Sequence, residues 1–261
     1  MPKLTTSSTE IHYQVNGNPT CPALLFSNSL GTDLSMWDAQ ANELSDEFYV
    51  IRYDTRGHGL SSRDSTPFGL DTLGFDVLTL MDHLSLPSTF FCGISMGGLI
   101  GQWLAVHAPE RLTKLVIANT AAKIGTEEGW VSRANTILEL GMDPVADSAA
   151  SRWFTEDYVL SNPVDVARLV SMLRQTNPRL YAYCCLALGS TDLRESIQAI
   201  STPTLVIAGQ ADPVTTVQDG EYLCQEIQGA TLAVLPTSHL SNIEAQDEFT
   251  SALKAFLLAE R

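Results

Sequence analysis

The amino-acid sequence predicts an α/β fold: a mostly parallel central sheet with helices on both faces and a helical segment inserted between two blocks of strands. Three observations predict it. Short apolar runs alternate with segments whose apolar residues recur at three- and four-residue spacing, the alternation stops near residue 121, and it resumes after residue 195. Buried strands separated by helices pair in parallel, because each helix crosses back over the sheet and covers one face.

Each element follows in turn. Residues 10–15 alternate in the manner of an edge strand, and Ala23–Ser27 is a compact apolar run. Further strands are expected over 48–52, 89–92 and 115–118, with helices over 36–46, 73–84 and 98–108 between them. From 121 to 195 the strand signal is replaced by helix-start and turn signals at Thr126-Glu127-Glu128, Asp143-Pro144, Asn162-Pro163 and Asn177-Pro178. The alternation then returns with strands over 204–208 and Thr231–Leu235 and helices over 217–227 and 244–258. The expected organisation is one core in two parts, 1–120 and 196–261, with 121–195 as a helical cap over the carboxyl edge of the sheet.

With 261 residues the chain can bury a full core without disulfides or metals. Its 15 Lys and Arg against 30 Asp and Glu give a formal charge of −15, which argues against nucleic acid and anionic membrane surfaces as partners. Hydrophobic content of 44% argues against a disordered chain. Cys21, Cys92, Cys184, Cys185 and Cys224 share no repeated spacing and form no C-x-x-C pair, so neither a zinc ribbon nor a dithiol site is expected. No stretch is long and apolar enough for a membrane span, and no secretory leader pattern opens the sequence. The expected setting is the cytoplasm. No Rossmann or Walker-type glycine loop follows the first strands, so no cofactor is expected.

The sharpest local signal is Gly93-Ile94-Ser95-Met96-Gly97, because a strand precedes it and a helix follows. That setting holds a serine on a strained turn with its hydroxyl exposed. A serine hydroxyl needs a base to take its proton. Of the five histidines, His12 falls in a strand, His83 and His107 on helices, and His58 in a loop of supporting character. His239 alone lies just beyond a late strand, where the loops of an open α/β sheet gather. Asp212 follows the 204–208 strand at the same edge and is the expected orienting acid, ahead of Asp157, Asp192 and Asp219. Two backbone N–H groups must meet the developing oxyanion; by position these are Met96, after the nucleophile, and Leu30, in the loop Asn28-Ser29-Leu30-Gly31-Thr32.

With these residues in hand, the chain resembles the α/β-hydrolase superfamily over essentially its whole length, and within it the 3-oxoadipate enol-lactonases of bacterial aromatic catabolism. The narrower likeness rests on Ser27-Asn28-Ser29-Leu30-Gly31-Thr32, Met36-Trp37-Asp38, Asp54-Thr55-Arg56-Gly57-His58-Gly59, and the insert residues Trp130, Arg133 and Arg152-Trp153-Phe154-Thr155. Asn28-Ser29 stands where many relatives carry His-Gly, a departure that leaves the backbone donor at Leu30 intact. The resemblance implies a small anionic lactone as substrate, opened through an acyl-enzyme on Ser95.

Such a substrate needs a cation for its carboxylate. Residues 120–195 hold Lys123 and six arginines (133, 152, 168, 174, 179 and 194) against ten carboxylates, a net charge of −3. Arg133 follows Trp130 by three residues and shares its helix face, so Arg133 with Trp130, and Trp153 as a second wall, are the expected substrate contacts. Two rival readings stay open at this level: a generic carboxylesterase or lactonase of the same scaffold, and a non-hydrolytic protein that binds a small ligand.

Overall fold

The computed structural model describes residues 2–5, 9–61 and 66–259. Its strands form one eight-stranded sheet in the order β1-β2-β4-β3-β5-β6-β7-β8. They are β1 (Lys3–Thr5), β2 (Glu10–Asn16), β3 (Ala23–Ser27), β4 (Tyr49–Tyr53), β5 (Thr89–Ile94), β6 (Leu112–Ala118), β7 (Thr204–Gly209) and β8 (Thr231–Leu235). The β1–β2 and β2–β4 pairings are antiparallel and all others parallel. Every position of β7 is buried, as a strand covered on both faces requires, whereas β8 at the sheet edge is half-exposed.

One expectation is corrected here. Residues 10–15 are not the edge of the sheet, because β1 pairs outside β2 through Lys3↔His12, Leu4↔Ile11 and Thr5↔Glu10. A three-residue strand is too short to show a period. Its single buried residue, Leu4, is all the signal it has.

The helices of the core are α1 (Asp38–Leu44), α2 (Leu70–His83), α3 (Met96–His107), α10 (Val217–Glu226), α11 (Ser241–Glu244) and α12 (Gln246–Leu258). Between β6 and β7 run α4 (Glu127–Leu140), α5 (Asp143–Asp147), α6 (Ala149–Trp153), α7 (Glu156–Ser161), α8 (Pro163–Arg174) and α9 (Pro178–Ser190). Thr126 caps α4 by accepting the Gly129 N–H at 3.1 Å, and Asn177 caps α9 by accepting from Arg179 and Leu180. Pro144, Pro163 and Pro178 sit in first turns, where no backbone N–H is needed. The helix expected over 244–258 is broken at Ala245, whose φ of −125° and ψ of 63° leave the helical region.

The topology places the site. From β3 the chain crosses to β4 on one side and then to β5 on the other. The carboxyl ends of β3 and β5 are therefore adjacent while their connections diverge, and a crevice opens between them. The loops that follow β3, β5, β6, β7 and β8 all end on this edge, because those five strands run parallel.

Candidate active site

Ser95 is the single residue between β5 and α3, so it alone makes the turn, with φ 57° and ψ −112°. A non-glycine residue held there costs on the order of 1–3 kcal/mol. The neighbouring glycines are fixed by contact. A Cβ at Gly93 would lie 2.2 Å from the Gly97 carbonyl oxygen, and one at Gly97 would lie 2.3 Å from that of Ser27. The Ser95 N–H donates to the Ala118 carbonyl at 2.9 Å, and Thr120 Oγ1 donates to the Ser95 carbonyl at 2.8 Å. The turn is braced on both sides.

His239 and Asp212 meet as expected, with Nδ1 and Oδ2 2.8 Å apart. The carboxylate can only accept, so Nδ1 carries the proton and Nε2 is left as the basic nitrogen. Asp212 is saturated with donors: Asn119 Nδ2, Thr215 Oγ1 and the Val214 and Thr215 N–H groups join His239. Burial pushes its carboxyl up, but the hydrogen bond and charge of His239, with Asn119 and Val214, outweigh this and hold it below the ordinary value. Ser95, Asp212 and His239 are 5%, 5% and 3% exposed, each just beyond the carboxyl end of a parallel strand.

Sequence reasoning missed what ties these residues together. Asn119, at the end of β6, donates to Asp212 Oδ2 at 3.0 Å and to the Ser238 carbonyl at 3.1 Å, and its Oδ1 accepts from Ser241 Oγ at 2.5 Å. Thr120, the next residue, holds Ser95. Two successive side chains thus link the serine turn to the histidine loop. Asn119 adopts φ 44°, a conformation that Asn tolerates better than most residues. An Asn-Thr pair directly after the strand over 115–118 was the available signal.

Of the two residues expected to donate to an oxyanion, Leu30 lies in the loop after β3 and Met96 opens α3. Among the described residues neither the Leu30 nor the Met96 N–H meets a protein acceptor. The loop is pinned on either side of Leu30: Asn28 accepts the Gly97 N–H at 3.1 Å, and Gly31 donates to His58 Nε2 at 2.8 Å. His58 Nδ1 lies 3.3 Å from the Arg56 carbonyl, to which it donates. An imidazole that accepts at one nitrogen and donates at the other is neutral, and burial lowers His58 to about 4. His58 thus braces the site, consistent with the supporting role expected of its loop. His12 also pairs its Nδ1 with a carboxylate, Asp54 Oδ2 at 2.7 Å, but it lies within β2 and not on the loops that follow the parallel strands.

Above this loop lies the helical insertion. Trp153 is buried beside it: a Cβ at Gly31 would sit 3.2 Å from Tyr181 Cε2 and 3.7 Å from Trp153 Cζ2. Arg133 lies over the Trp130 ring, its Cζ 4.9 Å from the centroid, as their spacing predicts. Trp130 itself is built into the insertion, with Nε1 donating to the Ile124 carbonyl at 2.5 Å. Arg174 is engaged with Asp143 and Asp147, and Arg194 with Asp192. Arg152 is a further residue that sequence reasoning did not single out as a contact. It is half-buried, donates to Ser148 Oγ and to the Val145 carbonyl, and has no carboxylate partner among the described residues. Burial and then the like charge of Arg133 hold it below its ordinary range. Burial raises the Tyr181 phenol, and the charges of Arg133 and Arg152 oppose that rise. The charges of Arg133 and Arg152 thus act on one another and on the Tyr181 phenol beside Gly31, and among the described residues neither arginine forms an ion pair with a carboxylate.

Among the described residues no three His, Cys, Asp or Glu side chains gather as a metal site, and no helix is long and apolar enough to cross a membrane. All five cysteines are free, with Cys184 and Cys185 buried.

A family model described as the alpha/beta hydrolase fold matches residues 22–246. The chain is 50% identical to 3-oxoadipate enol-lactonase 2 of Acinetobacter baylyi, over 97% of this chain and 95% of that one. It superposes on the enol-lactonase from Burkholderia xenovorans LB400 with a TM-score of 0.97 at 43% identity, covering 99% and 100% of the two chains. A malate-bound thermophilic esterase from Thermogutta terrifontis aligns with a TM-score of 0.92 at 27% identity, covering 98% and 97%.

Proposed function

Because this chain belongs to the alpha/beta hydrolase family, and is half identical to an enol-lactonase over nearly its full length, we propose that it hydrolyses 3-oxoadipate enol-lactone to 3-oxoadipate. Ser95 Oγ attacks the ring carbonyl while His239 Nε2 takes its proton, and Asp212 orients and stabilises the imidazolium. The oxyanion forms against the Leu30 and Met96 N–H groups, which are worth a large share of the rate because they are fixed beforehand. The ring C–O bond then breaks, and His239 returns the proton to the leaving enolate oxygen. Since the ring has opened rather than split, that enol stays tethered to the acyl-enzyme. Its tautomerisation to a ketone removes a nucleophile that would otherwise reclose the lactone. Water, deprotonated by His239, then releases the acid from Ser95.

The segment over 121–195 acts as the cap of this site, and the substrate carboxylate docks between Arg133 and Arg152, with Trp130 and Trp153 as apolar walls. The observation that carries the substrate assignment is the pair Arg133 and Arg152 in the insertion, neither with a carboxylate partner among the described residues, in a chain with this level of identity to enol-lactonases. The location that goes with this reading is the cytoplasm, a reducing compartment with which five free cysteines are consistent. The setting is aromatic-compound catabolism.

The test compares the enol-lactone with a neutral p-nitrophenyl ester. Ser95→Ala abolishes turnover of both, whereas Arg133→Ala raises KM for the lactone and leaves the neutral ester unaffected. Preference for the neutral ester, indifferent to Arg133→Ala, would overturn the lactonase reading in favour of a generic esterase. Ligand binding without turnover in the unaltered protein would leave a binding protein.

A further inference from the structure

The histidine loop is fastened to the helical insertion at the residues that flank His239. Leu240 donates its N–H to the Trp153 carbonyl at 3.0 Å, and Ser238 Oγ reaches the Arg152 carbonyl at 3.4 Å. Glu244 adds a side-chain bridge. Its Oε2 accepts the Ser238 N–H at 2.8 Å, while its Oε1 accepts the Thr155 N–H at 3.1 Å and the Thr155 hydroxyl. The break at Ala245 ends α11 at Glu244 and separates it from α12.

We infer that Glu244 is a positioning residue that sets His239 against the helical insertion, so that the segment holding the substrate-side residues Arg152 and Trp153 and the base act as one unit. This rests on the assignment of His239 as the base. The chemistry of the bridge demands a carboxylate. Three donors converge on two oxygens, and a carboxylate, having no proton to place, satisfies all of them. An amide would turn its NH2 toward at least one backbone N–H, leaving donor against donor. The opposite side of the loop is held by Asn119 through the Ser238 carbonyl, so Ser238 is gripped at both its N–H and its C=O. Releasing one grip leaves the loop free to shift about the other, and His239 is the next residue.

The experiment uses a fluorophosphonate, which phosphonylates an activated serine with help from the histidine but needs none of the lactone contacts. Glu244→Gln lowers the second-order labelling rate constant and kcat for the lactone together, by about tenfold, with the fall in both measured on protein shown to be folded. Thr155→Val, which keeps the backbone N–H but removes the hydroxyl, lowers both about threefold. The double variant is no slower than Glu244→Gln alone, since both changes cut one link. Labelling at the wild-type rate with only a lowered Tm would make the bridge merely structural and overturn the inference. A rise in KM alone, or factors that multiply in the double variant, would overturn it as well. Should Glu244→Gln fail to fold, unchanged labelling in Thr155→Val decides against it. A wild-type protein that resists labelling would instead strike the Ser95–His239 assignment beneath.

Discussion

His58 makes stability depend on pH in a way that can be isolated. In the folded chain it must stay neutral, because Nε2 accepts the Gly31 N–H at 2.8 Å and cannot do so once protonated. Burial carries its pKa from 6.5 down to about 4 on folding. The unfolded chain therefore binds the proton more readily between those two values, and stability rises with pH across that window. The contribution is fully present above pH 6.5 and is lost as pH falls toward 4, amounting to about 3 kcal/mol in all. Its steepest slope is about 1.4 kcal/mol per pH unit. Asp212, held below its ordinary value, works in the same direction but at more acid pH. A difference experiment separates them. His58→Gln offers an amide oxygen to Gly31 and does not titrate. Urea unfolding of both proteins at half-unit steps from pH 4.5 to 7 should give curves that converge on acidification, as only the wild type loses the histidine contribution. Parallel curves, differing by a constant at every pH, would refute the reasoning and mean that the buried imidazole accommodates its proton.

Three further outcomes follow from the same geometry. Gly97→Ala places a Cβ 2.3 Å from the Ser27 carbonyl oxygen and 3.0 Å from that of Asn28, so the Leu30 loop must move. The displaced donor lowers kcat by about 100-fold, read by steady-state kinetics beside a Tm that falls by only a few degrees. Salt acts on binding: the chain carries −15 and its substrate is an anion, so raising ionic strength lowers KM as the global repulsion is screened, and a steady rise in KM would contradict this. Lys114 lies far from the chemistry, its Nζ donating to the Phe256, Leu257 and Ala259 carbonyls at the end of α12. Lys114→Met lowers unfolding free energy by about 2–3 kcal/mol in denaturant titration, with kcat unchanged.

Much of this was legible in the chain because it is local. Ser95 sits between a strand and a helix that both announce themselves, and glycines at 93 and 97 reflect contacts within that turn and the next strand over. Asp212 and His239 could be placed because each follows a readable strand by a few residues. What was not legible is long-range. Asn119 acts on residues 93 and 119 positions away, and Glu244 on Thr155 across 89, separations at which no periodicity or motif speaks. Arg152 was hidden for another reason: six arginines share the insertion, and only the pairing of Arg174 and Arg194 with carboxylates shows which are engaged elsewhere. The short strand Lys3–Thr5 escaped for lack of length.

The Asn119-Thr120 pair has a consequence for how such a chain can change. The polypeptide leaves the core for its helical insertion immediately after the two residues that hold the serine turn and the acid–histidine pair in register. Helices that carry none of the histidine loop's own partners, the Arg152 and Trp153 carbonyls and Thr155, can be lengthened, shortened or replaced without disturbing that register. The root cannot. A chimera that exchanges substrate preference by grafting foreign helices must therefore join them beyond residue 120. Moved two residues toward the core, the same junction would exchange the chemistry along with the preference.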